Sequence, residues 1–117
     1  PFGKKATGML IYTSSGNFTA QLMQNDRPLL KSNDQMKGTS EEMEASFKGV
    51  ISYFGQYTFN ENENTVLHHV EESLFPNWKG LRMKRFAQFK NNTLELSTEP
   101  TTWDGENSIG MLVWQKR

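Results

Sequence analysis

The chain has 117 residues, a length that suits one domain built around one core. Its 13 basic residues balance 13 acidic ones, so no net field draws it onto nucleic acid or an anionic membrane, and its partners are expected to be neutral or small. Cysteine is absent, which excludes a disulfide framework, thiolate metal sites and a cysteine nucleophile.

The N-terminal run PFGKKATGMLIY lacks a basic segment followed by a long apolar one, and no stretch approaches the ~18 apolar residues of a membrane span. The chain reads as soluble, with a cytoplasmic location as the default. TGMLIYTSSGNFTAQLM holds two β-rich runs joined at Ser14, Ser15, Gly16 and Asn17, a hairpin signature. QNDRPLLKSNDQMKG is polar, broken by Pro28 and Gly38, and reads as a loop. In TSEEMEASFKGVISYF the period changes. Thr39 and Glu42 fit a capping box, and Met43, Phe47, Val50, Ile51 and Phe54 share one face of a helix expected over about 40–54. That apolar stripe is expected to close one end of the fold. A strand at GQYTFNE, a turn at Asn62 to Asn64, and the strands TVLHHVEESL, LRMKRFAQF, LELSTE and SIGMLVWQK follow, separated by the turn signals NN and TTWDGEN. Seven strands against one helix make a mostly-β domain, a sandwich or a barrel.

The runs GMLIYTSSGNFTAQLM, HHVEESLFPNW and LELST, in this order and separation, resemble the lipocalin-like domain family of small bacterial and fungal proteins. The resemblance covers nearly the whole chain. It implies a small antiparallel up-and-down β-barrel of seven to eight strands with one short helix and a pocket in its mouth, residues 1–117 forming a single domain. Members of the family usually carry a further N-terminal strand with a Gly-x-Trp signature, whereas here the first strand is reached by about Thr7. A barrel lacking that strand is expected to leave unpaired edges at the first strand or around Gly110 to Trp114, which a partner strand in a homo-oligomer would cover.

The segment HHVEESLFPNW concentrates the polar candidates. On a strand His68 and His69 point to opposite sides, and with no HxH or HxxxH spacing no metal site is expected; no cofactor is called for either. Ser73 has no nucleophile elbow around it. In the next strand Leu81, Met83, Arg85, Ala87 and Phe89 form the mainly apolar, inward face. A hairpin about Trp78 would set position 71 opposite Arg85, 69 opposite 87 and 73 opposite 83. His69, Glu71 and Ser73 are then expected inside with Arg85, and His68 and Glu72 outside. An inward carboxylate beside a guanidinium makes burial of either tolerable. Tyr12, Tyr57 and Trp78 add aromatic candidates, because a buried phenol or indole N–H needs a partner.

Three functions fit these residues. The first, favoured by the resemblance, is a protein that binds a small hydrophobic molecule inside the barrel, with Tyr12, Tyr57, His69, Glu71, Ser73, Trp78 and Arg85 around it. The second is a cofactor-independent isomerase, hydratase or cyclase acting on a hydrophobic natural product, with His69 or Glu71 as acid or base and Arg85 stabilising negative charge. The third is a structural or interaction protein whose polar cluster only fixes the fold.

Overall fold

The computed structural model describes residues 5–116. Alternating burial along each strand generates the architecture. The strands are β1 (Ala6–Tyr12), β2 (Asn17–Gln24), β3 (Val50–Asn60), β4 (Thr65–Ser73), β5 (Arg82–Lys90), β6 (Thr93–Thr98), β7 (Thr101–Trp103), β8 (Glu106–Ser108) and β9 (Met111–Gln115), with one helix, α1 (Ser40–Lys48), before β3. Seven of them form one antiparallel sheet in the order β1-β2-β3-β4-β5-β6-β9, and β7 pairs only with β8. Neighbours in sequence are neighbours in space, an up-and-down barrel that is nearly closed. Phe18, Ala20 and Leu22 of β2, Tyr53 of β3, Val66 and Val70 of β4, Ala87 of β5 and Leu96 of β6 point inward and are buried. Met9, Ile11, Phe54 and Phe86 occupy the alternate positions and are partly exposed.

The expected open seam is present. Among the described residues β1 and β9 are the two end strands of the sheet, and a cleft of about 340 Å³ between them is lined by Ala6, Gly8, Leu22 and residues 112–116.

Turn chemistry agrees with the sequence at several joints. Gly16 (φ 91°) closes the first hairpin, Asn64 (φ 53°) the β3–β4 turn and Asn91 (φ 53°) the β5–β6 turn. The capping box of α1 is also present: the Glu42 amide donates to Thr39 Oγ1 at 3.1 Å, and the Thr39 amide donates to Glu42 Oε1 at 2.8 Å.

Three expectations are corrected. The helix ends at Lys48, and Val50 to Phe54 belong to β3, which pairs with β2. Gly49 stops the helix, and the β-branched and aromatic run VISYF gains more from a ladder inside the sheet than from one more exposed helical turn. No residue of α1 is buried, so its stripe does not seal the barrel; only Phe47 and Lys48 in its last turn border the mouth. Finally, TTWDGEN is a hairpin of its own. Asp104 (φ 51°) and Gly105 (φ 80°) both take left-handed conformations, the Asp-Gly signature of a tight β-turn, and the β7–β8 arm they create reaches the barrel mouth.

Candidate functional site

The inner face of β4 is opposite to the one expected. Arg85 pairs with Val66, not with position 71, and His68 pairs with Met83. The displacement is odd, so the side chains of the stretch paired with β5 all change face. Its cause is an asymmetric corner: the Val70 amide donates to Leu81 O and the Gly80 amide to Val70 O, both at 2.9 Å, so the β4–β5 hairpin closes before residue 71. Beyond that point β4 runs beside β3 alone, and there it bulges. Gly55 pairs with Val70 and Phe54 with Glu72, leaving Glu71 as the extra residue. Gly55 permits this close approach, since a Cβ there would collide with the His69 carbonyl oxygen. Val66, His68 and Val70 therefore face inward, Glu71 and Glu72 are exposed, and Ser73 returns to the inner side opposite Tyr53.

His68 is only 1% exposed. Its Nε2 lies 2.6 Å from the Tyr12 hydroxyl and its Nδ1 3.2 Å from the Tyr53 hydroxyl. A neutral imidazole has one N–H and one lone pair, so it accepts from one phenol and donates to the other. Its ring stacks on Phe18 at 4.1 Å. Burial, with the nearby Arg85 charge, lowers its pKa to about 3, so the ring is neutral. The same burial pushes both phenols up, against a smaller downward pull from Arg85. Tyr57 joins this cluster edge-on to Tyr12 at 4.8 Å and donates to the Thr13 carbonyl at 2.7 Å.

Arg85 lies in different company. It is 8% exposed and lines an inner chamber of about 100 Å³ with Leu10, Ala20, Ile51, Tyr53, Met83 and Leu96. Its guanidinium donates to the Lys84 carbonyl at 3.4 Å and to the Met83 sulfur at 3.8 Å, both long contacts. The ion pairs among the described residues are Lys48–Glu44, Lys79–Glu72 and Lys84–Glu63, and none includes Arg85. An outer chamber of about 410 Å³ lies at the mouth, lined by Phe47, Val50, Ser73, Phe75 and residues 102–104. Ile51, Trp78 and Trp103 border both chambers, so the two adjoin along the line from the mouth to Arg85. All three tryptophans of the chain, Trp78, Trp103 and Trp114, line the inner chamber.

Of the residues singled out in the sequence, Ser73, Trp78 and Arg85 come together on this path, while Tyr12 and Tyr57 stand in the aromatic wall around His68. His69 pairs with exposed Gln56 and Arg82 on the outer face, and Glu71 borders a shallow outer groove with Ile11 and Phe54. Their expected inward placement beside Arg85 is overturned by the register and the bulge. Tyr53, His68 and Trp103 were missed. The Asp-Gly pair was the available signal for Trp103, because it marks a hairpin arm and not a simple turn.

Comparison with known proteins agrees with this architecture. The chain is 31% identical, over 105 residues, to the "4'-hydroxy-3'-methoxypropiophenone carrier protein ppsC" of Aspergillus oryzae (strain ATCC 42149 / RIB 40), a match covering 84% of this chain and 95% of the relative. No solved structure matches it. The lipocalin-like domain matches across residues 1–117, and the chain belongs to the lipocalin-like domain family.

Proposed function

We propose that this protein is a carrier that holds a small, mainly apolar aromatic molecule inside its barrel. The observation that carries the reading is the two-chambered path ending at Arg85, walled by tryptophan, tyrosine and aliphatic side chains. The outer chamber, at about 410 Å³, is within the range of small-molecule sites, roughly 300–1,000 Å³. The inner one, at about 100 Å³, takes only one end of such a molecule. The ligand therefore lies across Trp78 and Trp103 with its polar end toward Arg85. The relative's name supports a cargo of this kind, an aromatic ring bearing a ketone and small oxygen substituents. Carriage is favoured over catalysis because the proposed acid–base residues, His69 and Glu71, stand outside the chamber, and His68 has both ring nitrogens engaged by phenols.

Every tryptophan lines the path, so intrinsic fluorescence reports its occupancy. Titration with 4-hydroxy-3-methoxypropiophenone is expected to quench that emission saturably, and chromatography is expected to recover the compound unchanged. Trp78→Ala should weaken binding. Absence of saturable quenching would reject the proposal, and conversion of the compound would replace it with the enzymatic reading.

A further inference from the structure

We infer that the molecule held in the inner chamber bears an anionic oxygen, a carboxylate, phenolate or enolate on an otherwise apolar skeleton, for which Arg85 is the counter-ion. This rests on the carrier reading and adds the chemical class of the cargo.

A guanidinium stays protonated at any pH a folded protein meets. Placing one inside a barrel without an opposing charge is costly, and proteins pair such groups as a rule. Here the pairing is missing on the protein side. None of the ion pairs among the described residues includes Arg85, and Glu71, the carboxylate expected opposite it, is exposed on the other face. The neighbouring titratable groups do not compensate either. Tyr12 and Tyr53 are held protonated by burial, and His68 is neutral. The cluster thus carries one net positive charge against an apolar wall.

A second donor borders the same chamber. The indole N–H of Trp114 is buried without a hydrogen-bond partner. Arg85, whose acceptors are all neutral, and Trp114, whose indole N–H has none, border one cavity, and an anionic oxygen there supplies both the missing charge and an acceptor. A neutral hydroxyl or carbonyl leaves the charge unbalanced.

The test is isothermal titration of the intact chain with 2-naphthoate and with 2-naphthamide, which share shape and differ in charge. Wild type is expected to bind the carboxylate about tenfold or more tightly than the amide. Arg85→Met is expected to lose the preference, the naphthoate affinity falling about tenfold or more further than the naphthamide affinity. Arg85→Gln serves if circular dichroism shows the methionine variant unfolded, and the wild-type comparison needs no variant. A parallel titration follows 4-nitrophenol, which is yellow only when ionised, at a pH where it is half ionised in buffer. Deepening colour on adding protein assigns the phenolate class, and a preference for naphthoate alone assigns the carboxylate class. Equal binding of naphthoate and naphthamide by wild type, or a preference that survives loss of Arg85, overturns the inference and leaves the carrier reading standing. If no probe binds, the carrier reading falls with it.

Discussion

His68 and Arg85 are both polar, both buried, and carried on adjacent strands of the same barrel, yet they are treated in opposite ways. His68 is satisfied: a phenol on each ring nitrogen, a phenylalanine stacked on its face, and a neutral charge state. Arg85 keeps its charge and meets only neutral partners: long contacts on its own strand and the Tyr53 hydroxyl. A buried polar group with every valence met is part of the scaffold. One left unmet beside a cavity is a cost to folding that a bound molecule can recover.

The contrast makes predictions of opposite sign. The largest effect is expected at His68. His68→Ala removes the ring packed on Phe18, orphans the Tyr12 phenol at about 1–3 kcal/mol and takes one of two partners from Tyr53, so denaturant unfolding should show a loss of roughly 3–5 kcal/mol. A loss below about 1 kcal/mol would show that the cluster is not structural.

The next effect is on pH dependence. His68 titrates at about 3 in the fold against an ordinary 6.5, so between those values the unfolded chain binds the extra proton. Stability from this group is complete above pH 6.5 and declines as pH falls toward 3, by at most about 1.4 kcal/mol per unit. His68→Phe should flatten that part of the profile, and an unchanged slope would assign it to the carboxylates.

For Arg85→Met the expected change is small and of the other sign: stability unchanged or raised by up to about 2 kcal/mol, since an unpaired buried charge gives way to a side chain of similar length. A clear loss of stability would mean that Arg85 has a structural partner. Smallest of all, Lys79→Ala removes a surface pair with Glu72 and should leave the unfolding midpoint within experimental error.

The same two residues show what could be read from sequence. The inward position of Arg85 follows from its apolar alternation with Met83 and Ala87, a local signal, and the strands, the turns at Gly16, Asn64 and Asn91 and the capping box are local signals too. Which histidine faces inward is not local. It depends on where the β4–β5 corner closes, set by the backbone bonds of Val70 to Leu81 and Gly80, and on the extra residue at Glu71, which Gly55 of β3 permits. The helix boundary failed for a related reason, because Val50, Ile51 and Phe54 continue a helical period by coincidence while their pairing with β2 decides their conformation.

The central claim is that the molecule bound by this protein lies inside the barrel beside Arg85. Nitrogen–proton correlation spectra of the labelled protein, recorded with increasing 2-naphthoate, test it directly. The indole N–H signals of Trp78, Trp103 and Trp114 and the Nε–H of Arg85 are expected to move and saturate together, while the amides of Phe86 and Gln88 stay in place. Shifts confined to Ile11, Phe54 and Glu71 on the outer groove, with the three indoles unmoved, would contradict it.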